Sequence, residues 1–129
     1  MMRPLAAVSL LALAACDPPP RATAAGPEAR KAVDTATLAY ADCVTKGAEA
    51  APLGRSPGLA IGDVVRTCAP ARQALAASIE KFHAIGHPRF TPDQLKTVAE
   101  ASIQQLEPQI RSDAIALYVG RTLPNRETK

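Results

Sequence analysis

The chain has 129 residues, with 15 lysines and arginines against 12 aspartates and glutamates, which gives a formal charge of +3 at pH 7. This length accommodates one small domain. The near-neutral balance, with two tyrosines, two phenylalanines and no tryptophan, excludes the clustered basic and aromatic surface that nucleic acids require.

An apolar run follows the basic start Met1-Met2-Arg3 and extends from Leu5 to Ala15. A helix that spans a bilayer needs about 20 apolar residues, so this shorter run is typical of a secretory signal peptide instead. The sequence therefore predicts export of the chain.

The motif Leu13-Ala14-Ala15-Cys16 at the end of this run resembles the lipobox of bacterial lipoproteins. The resemblance implies that residues 1–15 are removed as a signal peptide and that Cys16 is acylated, palmitate being one such chain. The protein would then be anchored by lipid on the periplasmic side of the inner or outer membrane. Asp17 resembles the residue that retains enteric lipoproteins in the inner membrane, a signal that other bacterial groups do not all read. The alternative is an ordinary secretory signal with an incidental cysteine.

The stretch that follows Cys16 is rich in proline and small residues up to Pro27. Such a composition buries too little apolar surface to offset the entropy lost on ordering. We therefore predict a lipidated tether over residues 16–27, ahead of a helical domain over 28–120.

Cys43 and Cys68 remain as a pair once Cys16 is assigned to lipid, and disulfides persist in an exported protein. Each lies on the apolar face of a predicted helix, and the midpoint between them falls in the break Ala51–Gly58. Two antiparallel helices folded about this break would bring the cysteines to the same height. The sequence thus predicts a disulfide between them.

Helical spacing of apolar residues predicts a first helix from Glu28 to about Ala50 and a second from Pro57 to near Gly86. Pro70 lies inside the second helix. The apolar phase continues across Pro70 and its ring points outward, so we interpret it as a kink and not as a helix end.

A third helix is predicted to begin at Thr91-Pro92-Asp93-Gln94, which has the features of a capping box with proline at the first helical position. It should end near Gly120, with Pro108 facing outward and residues 121–129 forming a flexible tail. The predicted inward stripe of this helix consists of Leu95, Val98, Ala99, Ser102, Leu106, Ile110 and Leu117.

Three long helices with short connections predict an all-α fold, a small up-down-up bundle with one disulfide between its first two helices. A helical hairpin to which the third helix is added, or a hairpin that dimerises, is the alternative arrangement. The oligomeric state is left open by the sequence.

Arg72 interrupts the apolar face of the second helix, between Cys68 and Leu75. In an antiparallel hairpin stapled at the cysteines, Arg72 lies level with residue 39, and Tyr40 is the nearest inward residue of the first helix. We predict that the guanidinium lies over the Tyr40 ring or bonds its hydroxyl. The alternative is that the Pro70 kink rotates Arg72 outward or that its long stem carries the charge to water.

His83 and His87 are four residues apart, a spacing that can place two imidazoles on one metal ion. Gly86 and Pro88 put His87 at the helix end, and no further ligand lies nearby in sequence. We therefore predict no metal and no cofactor, and interpret the pair as part of a helix terminus.

The sequence contains no nucleophile motif and no glycine-rich phosphate loop, so we predict that the protein is not an enzyme. The remaining hypotheses are an interaction module with an envelope protein as partner, or a binder of a small molecule or metal in the groove between the helices.

Overall fold

The computed structural model of the chain describes residues 25–124. Its helices are α1 (Ala25–Ala50), α2 (Pro57–Thr67), α3 (Ala69–Gly86) and α4 (Pro92–Thr122). No β-strand occurs within residues 25–124. The predicted signal peptide over 1–15, residues 16–24 of the predicted tether, Cys16 among them, and residues 125–129 of the predicted tail lie outside the described residues.

The chain runs along α1, returns through α2 and α3, and runs along α4 in the direction of α1. The disulfide ties α1 to the junction of α2 and α3, and Arg121 in the last turn of α4 contacts carbonyls at the end of α1. The prediction of an all-helical bundle is confirmed. The predicted number of helices is wrong, because residues 25–124 form four where three were expected.

The difference lies at Cys68, where the predicted second helix is divided into α2 and α3. Pro70 has no N–H to donate, and its ring would clash with the Arg66 carbonyl in a continuous helix. The chain instead restarts with Pro70 in the first turn of α3. Cys68 N donates to Val64 O at 3.0 Å and Cys68 O accepts from Arg72 N at 3.1 Å, so the interruption is confined to one residue.

Pro108 has the opposite outcome, because α4 continues across it. Its ring is exposed, as predicted. The start of α4 is also confirmed as a capping box: Thr91 Oγ1 accepts from Gln94 N at 3.2 Å, and Gln94 Oε1 accepts from Thr91 N at 2.9 Å. These two hydrogen bonds satisfy backbone donors of the first turn that have no partner within the helix.

The core lies along the line where the helices meet and is built largely from small and β-branched side chains. Its largest fully buried members are Tyr40, Tyr118, Ile61, Leu75, Ile103 and Val44. The predicted stripe of α4 is rotated from the one observed: Leu117 is 39% exposed, whereas Tyr118 and Ile103 are fully buried. One position along a helix turns the side chain by about 100°, which is enough to exchange Leu117 for Tyr118.

The helical part begins and ends outside the predicted limits of 28 and 120. Helix α1 begins at Ala25, which places Pro27 in its first turn, where a missing N–H costs no hydrogen bond. Helix α4 reaches Thr122. Arg121, predicted to open the flexible tail, donates from Nη1 to Ala48 O at 2.7 Å and to Ala51 O at 2.8 Å. It thereby satisfies carbonyls at the end of α1 that have no partner within the helix.

Gly47 determines how closely α1 and α2 approach each other. A Cβ at this position would collide with the Val64 side chain, whereas Gly62 on α2 has open space around it. The absence of a side chain at Gly47 is therefore what allows α1 and α2 to pack closely at this point. None of the helices described is long and apolar enough to cross a bilayer.

Candidate functional site

The predicted disulfide is present, with Cys43 and Cys68 joined by an S–S bond of 2.06 Å and their Cα atoms 6.0 Å apart. Cys68 is almost fully buried, whereas Cys43 is half-buried. The bond fixes the middle of α1 to the residue at which α2 gives way to α3. The disulfide therefore fixes the break between α2 and α3 against α1.

Arg72 and Tyr40 meet at one carboxylate of α4. Tyr40 Oη donates to Glu107 Oε1 at 2.8 Å, and Arg72 Nε donates to the same oxygen at 2.8 Å. The sequence predicted a direct contact between Arg72 and Tyr40, whereas the two residues are linked through Glu107. In the structure the Tyr40 hydroxyl bonds Glu107, which links α1, α3 and α4 through a single side chain.

Glu100 is the fourth member of the cluster and accepts from the two terminal nitrogens of the Arg72 guanidinium. Arg72 Nη2 and Nη1 donate to the two Glu100 oxygens at 2.6 and 3.1 Å, a two-pronged arrangement that matches the planar guanidinium to the planar carboxylate. The Arg72 side chain is 27% exposed, Glu107 is 16% exposed and Glu100 is 47% exposed. The Glu107 end is therefore the less hydrated one, where loss of a partner costs more.

The cluster shifts the ionisation of its members in directions that follow from its geometry. Burial raises the pKa of Tyr40 to about 12, and the hydrogen bond to Glu107 adds to the effect. Burial alone would raise the pKa of Glu107, but the hydrogen bonds from Arg72 and Tyr40 outweigh it and the pKa is lowered. The hydrogen bonds from Arg72 also lower the pKa of Glu100. At neutral pH the Tyr40 hydroxyl is thus protonated and the carboxylates of Glu100 and Glu107 are charged. These are the states that the hydrogen bonds of the cluster require.

Sequence reasoning missed Glu100 and Glu107. The signal was their spacing of seven residues, which places two acids on one face of α4, about two helical turns apart. An arginine in the middle of the apolar face of a neighbouring helix needs such acids opposite it. The sequence contains twelve acids, however, and only the relative heights of the helices select these two.

His83 and His87 lie at the end of α3 within a row of four rings. The Phe82 and His83 ring centres are 5.5 Å apart, those of His83 and His87 are 5.9 Å apart, and those of His87 and Phe90 are 4.5 Å apart. Burial and the nearby charge of His87 lower the pKa of His83. Within residues 25–124, no group of three or more His, Cys, Asp or Glu is arranged to hold a metal ion.

The end of the bundle opposite the start of α1 is referred to below as the distal end; it consists of loop 51–56, the first turns of α2 and the last turns of α4. Tyr118 holds the loop there, because its hydroxyl accepts from Arg55 N at 3.2 Å and lies 3.0 Å from Pro52 O. Four of the five exposed large hydrophobic side chains lie at this end: Leu53, Leu59, Leu117 and Leu123. The fifth, Leu38, lies on α1.

A groove of about 330 Å³, referred to below as the distal groove, lies between α1 and α2. Its lining is mostly apolar, and only its rim carries charged side chains. The lining residues are Cys43, Gly47, Ala50, Ala51, Pro52, Arg55, Ala60, Asp63, Val64, Thr67 and Cys68.

Comparison of the chain with models of known protein families, with curated proteins and with solved structures finds no match.

Proposed function

We propose that the chain is a lipid-anchored protein of the bacterial cell envelope whose helical part works as a protein–protein interaction module on the periplasmic side. The lipobox-like motif ending at Cys16 supports the anchor. The distribution of exposed apolar side chains supports the interaction role, since isolated exposed leucines are ordinary but a group of them at one end is typical of a contact surface.

The single observation that carries the proposal is that, within residues 25–124, four of the five exposed leucines lie at the distal end, away from the start of α1. Ala25 follows Cys16 by nine positions, so the chain between them can reach about 32 Å at most. Helix α1, with 26 residues, extends about 39 Å further. An anchor at Cys16 would therefore hold the start of α1 near the lipid and leave the exposed leucines of the distal end facing the periplasm.

The anchor is tested by metabolic labelling with palmitate and by membrane fractionation. We expect label on the wild-type chain and none on Cys16→Ser, while a Cys43→Ser, Cys68→Ser double variant retains it because those residues are joined to each other. A wild-type chain that fractionates with membranes but carries no acyl label would contradict the proposal.

The interaction role is tested by placing a photo-crosslinking amino acid at Leu59 and at Leu38 in the anchored chain. We expect a discrete protein adduct from Leu59 and none from Leu38, which is equally exposed but lies outside the distal end. Absence of any adduct from the surface of the chain would favour the second candidate below.

The second candidate function is binding of a small molecule or a metal, and one pocket supports it. An open pocket of about 260 Å³ lies where α1, α3 and α4 meet, next to Phe82, His83 and Ser102. The lowered pKa of His83 keeps its imidazole neutral at pH 7 and able to accept a hydrogen bond or bind a metal. A rise in melting temperature with Zn²⁺ or a metabolite mixture that is lost in His83→Ala and kept in Lys96→Ala would support this candidate.

A further inference from the structure

We propose that the distal groove binds an acidic amphipathic helix of a partner protein, seating one or two apolar side chains between α1 and α2 while carboxylates of the partner meet the arginines on the rim. The inference rests on the proposed interaction role and specifies its surface and the chemistry of the partner.

The shape of the groove suits apolar side chains. Its walls are the small residues Gly47, Ala50, Ala51 and Ala60, and the disulfide closes one end. Small walls leave room for a side chain from outside, and the disulfide prevents α1 and the end of α2 from collapsing together. Helical ligands commonly place apolar side chains, spaced three and four residues apart, into grooves of this kind.

The rim of the groove carries more positive than negative charge. Arg55 and Asp63 line the groove, and Arg66 adjoins it by pairing with Asp63, the same carboxylate that Arg55 binds. The two arginine side chains are 51% and 79% exposed, so both guanidinium groups are accessible to a partner. Two arginines on one aspartate leave about one positive charge without a counter-charge. A carboxylate from a partner would neutralise it.

Leu59 is on the same face of α2 as these charges. Positions 59, 63 and 66 are four and seven residues apart, a spacing that aligns them along one side of a helix. Leu59 is 64% exposed. An apolar contact and a charged contact are therefore offered side by side, as an amphipathic segment requires.

The charge of the distal half of the bundle argues against a second copy of this chain as the occupant. Residues 42–66 and 111–124 contain five basic and four acidic side chains, and Lys46 is paired with Asp42. The basic residues are Lys46, Arg55, Arg66, Arg111 and Arg121, and the acidic ones are Asp42, Glu49, Asp63 and Asp113. A symmetric dimer through this end would place the same positive rim on both sides of the interface, whereas an acidic partner is attracted to it.

The experiment uses a tryptophan reporter, because the chain has none. Leu59→Trp is introduced into the full chain carrying Cys16→Ser, so that no acyl group is present. The probe is an 18-residue helical peptide with leucines spaced three and four apart and flanking glutamates. We expect saturable binding with a blue shift of the emission. The same peptide with lysine in place of every glutamate should bind at least tenfold more weakly.

Two matched double variants separate the rim from general charge. Arg55→Gln with Arg66→Gln should weaken binding of the acidic peptide at least tenfold, because the surplus charge is removed. The main-chain N–H of Arg55, which bonds Tyr118, is unchanged by this substitution. Lys31→Gln with Lys96→Gln removes the same charge from the other end of the bundle and should leave binding unchanged. Melting curves confirm that each variant is folded.

Four outcomes would overturn the inference. They are equal binding of the acidic and basic peptides, equal loss in the two double variants, a blue shift caused by self-association without peptide, and no binding at all. If the peptide fails to bind while palmitate labels Cys16 and Leu59 is crosslinked in cells, the inference falls and the proposed function stands. If labelling and crosslinking both fail, the proposed function itself falls.

Discussion

Tyr40 and Arg72 donate hydrogen bonds to the same oxygen atom, Oε1 of Glu107, each at 2.8 Å. One carboxylate, of which 16% of the side chain is exposed, thus joins α1 and α3 to α4. Because each donor loses its partner when the carboxylate is changed, Glu107 is the residue on which the cluster depends.

Glu107→Gln should lower the free energy of unfolding by about 2 to 4 kcal/mol, because Arg72 and the Tyr40 hydroxyl are left with a weaker, uncharged acceptor in a poorly hydrated position. Urea denaturation followed by circular dichroism measures the change. Glu100→Gln is the matched control and should cost less, since the Glu100 side chain is 47% exposed. Equal losses in the two variants would show that burial of Glu107 does not matter.

Stability should decline in strong alkali. The pKa of Tyr40 is about 12 in the folded protein, above its ordinary value of 10.0. A group whose pKa is raised by folding contributes stability that is complete below pH 10 and is lost as the pH rises towards 12. Absorbance at 295 nm should show a phenolate that forms near pH 12 in the wild type and is missing in Tyr40→Phe. If both variants titrate alike, the hydroxyl is not held by Glu107.

Stability should also decline in acid. The pKa values of Glu100 and Glu107 are lowered in the folded protein from an ordinary value of 4.5. Their contribution is present above pH 4.5 and is lost as the pH falls through the lowered values. Melting temperatures between pH 7 and pH 2 measure this loss, which should be smaller in an Arg72→Met variant because no guanidinium then favours the carboxylates. An unchanged acid profile in that variant would contradict the assignment.

Reduction should lower the melting temperature markedly. The disulfide closes a loop with a sequence separation of 25, which corresponds to about 3.5 kcal/mol in the chain-entropy model. Differential scanning calorimetry with and without reductant measures the loss, and a Cys43→Ala, Cys68→Ala double variant should resemble the reduced protein. Alkylation of both cysteines without prior reduction, seen by mass spectrometry, would show that the bond does not form.

Gly47→Ala should destabilise the bundle by about 1 to 3 kcal/mol, because the added methyl group collides with Val64 and pushes α1 away from α2. Gly62→Ala is the control: the site is open, and alanine is the better helix former by about 0.5 to 1 kcal/mol. Thermal melts compare the two variants. A Gly47→Ala protein as stable as Gly62→Ala would mean that the helices are not in close contact there.

The sequence by itself determined the helical class, the capping box at Thr91, the outward position of Pro108 and the pairing of Cys43 with Cys68. The first three depend on local chemistry, and the pairing depends on the equal distance of the two cysteines from the break between their helices, so residue order is enough to predict them. It also identified Arg72 and Tyr40 as neighbours, because the disulfide sets the relative height of the first two helices.

Only the tertiary structure decided what Arg72 binds, since α4 is joined to α3 by loop 87–91 alone and the disulfide that sets the height of the first helices does not reach it. Glu107 and Tyr118 were missed for this reason. The sequence pattern also did not predict the division into α2 and α3 at Cys68. The helical spacing of apolar residues continues across Pro70 whether the backbone helix is continuous or broken. The gathering of exposed leucines at the distal end arises in the same way: residues from α2, α4 and the loop between α1 and α2 become neighbours only when the chain has folded back upon itself.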